Sequence, residues 1–390
     1  MRIGIDARFY GSLGKGLGRY TEKLIEHLEE LDQENEYVIF LRRENFDEYL
    51  PKNQRFKKIV AQYAWYGWAE QSLFVWMLYR SDLDLVHFPH FNVPLLYRKT
   101  FVVTIHDLIL VHYPTLRNTT RPQWVYTLKF LAYRLVIASA VKRAAHIITV
   151  SQFTENDIVT QYPVARGKIT VTYEAADAFC QWNAPRNEEA FLRTTGLLRA
   201  VSGAQNLRVS RDIIQPYFLY VGNAYPHKNL PILFAVAKAF PEFLLVFVGK
   251  EDYFYSRLRR QVEQIKVSNI IFAGFVTDAE LSSLYRWAQA YLFPSLYEGF
   301  GLPPLEALAR GTPVVASNRG SLPEILGDAA LYFEPTDERA LIATLHQLLD
   351  QPDLRSALQK RGYARGARFH FRDMAEATLH IYEKVNTHKS

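Results

Sequence analysis

The sequence predicts an α/β protein made of two doubly wound, parallel-sheet domains, and three observations carry the prediction. Short apolar runs alternate with helix-length amphipathic stretches along the chain, the pattern of βα units built on parallel sheets. Its 390 residues exceed the roughly 250 to 300 at which a single hydrophobic core stops growing. The apolar runs also fall into two series. They are parted by a stretch at 181–215 that contains Asn183, Pro185, Gly196 and Gly203, is closed by Pro216 and shows no strand period.

In chain order, the first strand is the run RIGID at 2–6, followed by a glycine-rich segment at 11–18 and an amphipathic helix at 20–31. Strands follow at 37–41 (YVIFL), 56–60 (FKKIV), 84–87 (DLVH), 101–105 (FVVTI), 146–150 (HIITV) and 169–172 (ITVT). The second series has strands at 218–221 (FLYV), 243–248 (FLLVFV), 270–272 (IIF), 290–293 (AYLF), 313–316 (PVVA) and 330–333 (ALYF). Helical stretches at 338–349, 353–368 and 372–386 then follow with no strand between them, so the last is free to pack away from its own sheet. The expected division is a first domain at 1–180 joined by the helix at 372–390, a boundary at 181–215, and a second domain at 216–371. Two such domains facing each other would leave a cleft at the carboxyl ends of their strands, where open parallel sheets bind ligands.

With 49% hydrophobic and 14% aromatic residues and only 22% charged, the chain can bury a sizeable core, which excludes a disordered or collagen-like polymer. The single cysteine, Cys180, excludes an internal disulfide framework and a multi-cysteine zinc site, and it suits a reducing compartment. No apolar run approaches the roughly 18 to 20 residues that span a bilayer. Asp6 and Arg8 stand where a secretion signal would be apolar, so a cytoplasmic location is expected. A net charge of +6, from 46 Lys and Arg against 40 Asp and Glu, favours phosphorylated ligands or anionic membrane surfaces. The basic residues are dispersed and no zinc-finger or RNP-type motif is present, so no nucleic-acid partner is expected.

Two segments carry chemistry. Gly11, Gly14, Gly16 and Gly18 stand between a strand and a helix, where glycine lets the backbone approach a phosphate and the helix amino terminus offers N–H groups to it. An ordinary glycine-rich connector is the alternative. A P-loop is excluded because Lys15 is followed by Gly16, and the dinucleotide fingerprint fits only loosely. The second segment runs from Pro294 to Gly311, after the strand at 290–293. Pro303 fits the first helical position and Gly311 the stop, giving strand, tight loop and short helix. Pro303 and Pro304 have no N–H, so the donors at this loop are those of Gly299, Phe300, Gly301 and Leu302. Glu298 on the loop and Glu306 on the helix are placed to grip two hydroxyl-bearing parts of one ligand, with a merely solvated acidic loop as the alternative.

Glu298, Gly299-Phe300-Gly301-Leu302-Pro303 and Glu306 together resemble the Glu-x7-Glu signature of retaining glycosyltransferases of the GT-B class, family 4. The resemblance extends over nearly the whole chain. It takes in the glycine-rich segment, Trp68-Ala69-Glu70-Gln71, Val86-His87-Phe88-Pro89-His90, Thr104-Ile105-His106-Asp107-Leu108, Thr149 to Thr154, and Val221-Gly222 through Lys228-Asn229. It is most similar to bacterial mannosyltransferases that build surface polysaccharides. The resemblance implies a GT-B fold and transfer of a hexose, mannose from GDP-mannose, to a hydroxyl of a glycan or lipid-linked acceptor. It also implies retention by front-face substitution, the departing phosphate taking the acceptor's proton. No carboxylate is placed as a covalent nucleophile, unlike the paired acids of retaining glycosidases.

By resemblance, Glu306 holds the nucleotide ribose, and Glu298 binds donor-sugar hydroxyls with the backbone of Gly299 to Gly301. Lys228 faces the donor diphosphate, His106 contacts the donor sugar near the reacting carbon, and Gly16 is the loop glycine nearest the diphosphate and acceptor. The chain departs from the pattern in two places. Asn223 stands where many relatives carry a second cation, with His227 as the candidate replacement, and Glu174-Ala175-Ala176-Asp177 stands where others read Asn-Gly-Val-Asp.

Other features have competing readings. Asp82-Leu83-Asp84 spells a metal-binding triplet of another glycosyltransferase fold, but Lys228 and helix amino termini can do a metal's work, so no metal and no other cofactor is expected. His87 and His90 have metal-like spacing without a third ligand nearby. Between Tyr113 and Arg143 there are six cations (Arg117, Arg121, Lys129, Arg134, Lys142, Arg143), no acid, and several aromatics. That stretch reads equally as a helix on an anionic membrane surface or as one packed on the first sheet. Three rivals to the mannosyl reading remain: the same fold with a UDP-sugar donor, a nicotinamide-dependent dehydrogenase, and a non-catalytic basic binding protein.

Overall fold

The computed structural model describes residues 1–114, 123–176, 185, 187–198, 210 and 212–387. Arg117, Arg121, Asp177, Cys180 and, in the boundary stretch, 181–184, 186, 199–209 and 211 lie outside the described residues. The chain forms two compact units, Met1–Glu174 with His370–Ser390, and Ala175–Phe369.

The first unit holds a seven-stranded parallel sheet of β1 (Arg2–Asp6), β2 (Glu36–Leu41), β3 (Phe56–Val60), β4 (Leu85–Phe88), β5 (Phe101–Ile105), β6 (His146–Thr149) and β7 (Ile169–Val171). Their order in the sheet is β3-β2-β1-β4-β5-β6-β7. The second unit holds a six-stranded parallel sheet of β8 (Tyr217–Val221), β9 (Leu244–Val248), β10 (Ile270–Gly274), β11 (Ala290–Phe293), β12 (Val314–Ser317) and β13 (Ala330–Phe333), in the order β10-β9-β8-β11-β12-β13. Strands covered on both faces are largely apolar: β5, with Thr104 its one polar residue, and β9 are buried at every residue, whereas the edge strands β3, β7 and β10 are mostly half-buried. Each sheet reverses its winding once, between β1 and β4 and between β8 and β11, where loops from the two neighbouring strands diverge and leave room for a ligand.

Helix starts follow local chemistry. Ser151 accepts from the Thr154 N–H, Asp252 from Phe254 and Tyr255, and Thr277 and Glu280 form a reciprocal capping box. The helix expected at 20–31 starts earlier, at Lys15, after a 3-10 turn at Gly11–Gly14, so Gly16 and Gly18 lie within its first turns. Packing explains why weak helix formers are kept there: a Cβ on Gly18 would sit 2.0 Å from the Gly11 carbonyl, while Gly16 faces open space. In the stretch expected to be a boundary, Glu188–Thr194 is helical and belongs to the second unit. The helix Phe371–Thr387 belongs to the first unit, where the Tyr382 hydroxyl meets His87 Nδ1 at 2.6 Å. Among the described residues no helix is long and apolar enough to cross a membrane.

Candidate active site

In the second unit the reversal of strand order sets β8 beside β11, and the loops leaving their carboxyl ends carry most of the expected residues. Lys228 ends the 3-10 turn Pro226–Lys228. Asn229 follows with φ +56°, and its Nδ2 donates to the carbonyls of Pro335 at 2.7 Å and Pro294 at 3.3 Å. The Leu296 N–H donates to the His227 carbonyl at 2.7 Å, so the two loops are fastened together. The result is a salt bridge: Lys228 Nζ donates to Glu298 Oε1 at 2.6 Å, with the side chains only 12% and 9% exposed.

Beyond Glu298 the backbone is turned by Ser321. Its hydroxyl donates to the carbonyls of Glu298 at 3.1 Å and Phe300 at 2.8 Å. In a trans peptide the C=O and the next N–H point in opposite directions, so the N–H groups of Gly299 and Gly301 are aimed away from Ser321. Gly301 has φ +98° and caps the helix Leu302–Ala309, with Pro303 at its second rather than its first position. Such a run of N–H groups ahead of a helix suits phosphate oxygens. Glu306 lies on that helix, is 5% exposed, and its Oε2 accepts from the Tyr285 hydroxyl at 3.3 Å.

Two residues bear on the expected place of a second cation. Asn223 is part of a local turn: its Oδ1 accepts from the Tyr225 N–H at 3.3 Å, and its carbonyl accepts from the Tyr220 hydroxyl at 2.7 Å. His227 does not replace the missing charge, because burial first and neighbouring Lys228 second pull its pKa down to about 4, leaving it neutral at pH 7.

In the first unit Gly16 stands one turn ahead of Tyr20 on the helix Lys15–Leu31, and the Tyr20 ring meets the His106 ring edge to face at 4.7 Å. His106 follows β5. Its Nε2 donates to the Pro89 carbonyl at 3.0 Å and its Nδ1 lies 2.9 Å from Glu174 Oε1, so both ring nitrogens have protein partners. Burial pulls its pKa down, but the hydrogen bond and charge of Glu174 outweigh it and hold the pKa above the ordinary value. Glu174, just past β7, was not legible as a site residue. Its signals were its place at the same carboxyl edge as His106 and its departure from the Asn that others carry there.

The competing features resolve locally. Asp82 is exposed with φ +49°, and Asp84 accepts from the Arg2 N–H at 2.7 Å; both precede β4, at the amino edge of the sheet. His87 is buried in β4 between Thr104 and Tyr382. In the basic helix Gln123–Arg143, Ile137 and Val141 join the core, while Leu128, Leu131 and Leu135 are 60%, 55% and 58% exposed, a stripe the packing reading leaves unused.

Comparison with known proteins covers both units. Residues 14–178 match the family model for Glycosyltransferase Family 4, and residues 209–365 match that for Glycosyl transferases group 1. The chain is 26% identical to the O-antigen chain mannosyltransferase RfbU of Salmonella typhimurium, over 88% of this chain and 90% of that one. It is 28% identical to the O-antigen chain mannosyltransferase B of Escherichia coli, over 79% of this chain and 76% of that protein. Among solved structures, a sucrose-phosphate synthase from Thermosynechococcus elongatus superposes with a TM-score of 0.75 at 20% identity, covering 99% of each chain, which bears on the fold alone.

Proposed function

The chain belongs to the family 4 and group 1 glycosyltransferases, with a GT-B fold, and from that premise we propose that it moves mannose from GDP-mannose onto a hydroxyl of a growing surface glycan, with retention at the anomeric carbon. The observation that supports the mannosyl reading best is similarity over more than three quarters of the chain to two O-antigen chain mannosyltransferases. The geometry of the second unit supports the donor side: a buried lysine beside a run of N–H groups at a helix amino terminus suits a diphosphate, and two buried carboxylates eight residues apart suit hydroxyl groups.

In this reading Lys228 interacts with the diphosphate as the sugar bond breaks, Glu298 turns from Lys228 to the sugar hydroxyls, and Glu306 receives the ribose. The N–H groups of Gly299 to Leu302 line the donor, Asn223 shapes the turn before Lys228, and Gly16 and His106 act from the first unit. No metal or other cofactor enters. The stripe Leu128, Leu131 and Leu135, flanked by Lys129 and Arg134, supports a peripheral contact with an anionic membrane carrying a lipid-linked acceptor.

The test is a transfer assay with GDP-mannose set against UDP-glucose, UDP-galactose and UDP-N-acetylglucosamine, the product's anomeric configuration being read by NMR. Turnover of a UDP-sugar in preference to GDP-mannose refutes the donor, and an inverted product refutes retention.

A further inference from the structure

We infer that Glu174 is a positioning residue for the transfer reaction: its carboxylate holds the His106 imidazole doubly protonated and fixed in orientation, so that His106 enters the reaction as a cation and not as a proton acceptor. The inference rests on the proposed glycosyl transfer for its catalytic consequence, but its structural half stands alone.

The hydrogen bonds decide the protonation. A carbonyl oxygen can only accept, so the 3.0 Å contact with Pro89 requires a proton on Nε2. A carboxylate also only accepts, so a 2.9 Å contact with Glu174 in its carboxylate form places a proton on Nδ1. The side chains of His106 and Glu174 are 18% and 7% exposed, enough burial for the pair to interact far more strongly than it would in water. Orientation is fixed on further sides. The Tyr20 ring abuts the imidazole, Tyr20 Oη contacts Thr104 Oγ1 at 3.2 Å, and the Thr154 hydroxyl donates to the His106 carbonyl at 3.4 Å.

Neighbouring histidines supply a built-in contrast. His87 and His90 face the same edge and each feels the charge on His106. His87 lies between Thr104 and Tyr382, and His90 lies against the rings of Phe9 and Phe91. Burial first, and the charge on His106 second, drive both to a pKa of about 3, with Arg8 adding to the effect at His90, so both are neutral. Asp107, next in sequence to His106, favours its charged form as a weaker contributor than Glu174. Of these three histidines the one paired with a carboxylate is the one that carries charge. The cation at His106 is thus a positive charge held at the carboxyl edge of the first sheet.

The test combines 15N-histidine NMR with kinetics. In the wild-type chain, with His106 assigned through His106→Gln, both ring nitrogens should carry protons at pH 7 and remain so above the range in which a free histidine titrates. In Glu174→Gln, which keeps an acceptor of the same shape, the main opposition to burial is lost and only the Pro89 hydrogen bond and Asp107 still favour the charged form, so His106 should lose its second proton at lower pH than in the wild type. The turnover number should fall on the order of 100-fold, as expected for a misplaced group, and the alkaline limb of the pH profile should move to lower pH. Glu174→Asp keeps the charge and should recover part of both. An unprotonated Nδ1 in the wild type overturns the inference, as does a Glu174→Gln variant whose His106 resonances and pH profile match the wild type. Protonated His106 in a chain that fails to use any nucleotide sugar sinks the proposed function while supporting the charge assignment.

Discussion

Lys228 cannot be removed without stranding Glu298, whose carboxylate is 9% exposed and hydrogen-bonded to it. Lys228→Met should therefore lower the turnover number about 100- to 1,000-fold, because a cation aimed at a departing diphosphate interacts most strongly in the transition state. It should also destabilise the fold by about 3 kcal/mol through the unpaired buried acid. Adding Glu298→Gln should restore the melting temperature without restoring turnover, and near-normal turnover of Lys228→Met at saturating donor would sink the assignment. Glu306→Gln keeps an oxygen for the Tyr285 hydroxyl but removes the charge. Calorimetry should show nucleotide affinity falling by about 1.5 to 3 kcal/mol, and unchanged affinity counts against a ribose contact. The paired glutamates were legible in the sequence because loop, glycines and prolines sit contiguously around them, whereas Lys228, 70 residues from Glu298, was named only through the family resemblance. The Glu174 contact with His106 was not, since it joins residues 68 apart and depends on the order of strands β5, β6 and β7.

Central strands announced themselves because a parallel strand covered on both faces is a continuous apolar run, and the register of β1 with β2 and β4 then fixes which loops meet. Helix starts were less legible. Glycine-rich 11–18 read as a loop on intrinsic preference, and close backbone contacts overrode that preference. The same surroundings give opposed predictions two residues apart. Gly16→Ala places a methyl in open space on a helix and should stabilise by about 1 kcal/mol, while lowering activity if this turn approaches the donor. Gly18→Ala puts a Cβ 2.0 Å from a carbonyl oxygen and should destabilise despite alanine's better propensity. Thermal melts of both variants settle the sign, and a stabilised Gly18→Ala would contradict the packing. For the basic stretch at 113–143, replacing Arg121, Lys129 and Arg134 by Gln should reduce cosedimentation with anionic liposomes while sparing turnover on a soluble acceptor. Equal cosedimentation would leave the exposed leucines unexplained.

At the scale of the whole chain, several histidines are neutral where they would be charged on unfolding. Burial is the leading cause in each case: it holds His87 and His90 at about 3 and His146 and His227 at about 4. Between these values and the ordinary pKa near 6.5 the unfolded chain binds more protons, so stability falls as pH drops through that window. At pH 5 each costs about 2 kcal/mol, from 1.5 pH units at about 1.36 kcal/mol each. His106 has the opposite sign: its raised pKa contributes fully below the ordinary value and is lost as pH rises through the folded one. Four groups against one should lower the melting temperature at pH 5 relative to pH 7 by several degrees, and an equal or higher value at pH 5 would refute the burial argument. Donor turnover should persist in EDTA, since Asp82 and Asp84 stand at the amino edge of the first sheet; activity lost in EDTA and regained with Mn2+ or Mg2+ would reverse that reading. The helix Phe371–Thr387 has a consequence of its own, because it completes the unit that the earliest residues begin. A ribosome adding 5 to 20 residues per second needs on the order of 10 to 40 s to make the roughly 200 residues between β7 and that helix. Through that interval Tyr20 and His87 await Tyr382 and its neighbours, whereas every residue of Ala175–Phe369 has been made before the last helix begins. The half of the chain made first is thus the half finished last, and a nascent chain arrested before Phe371 should bind a nucleotide before its first sheet resists protease.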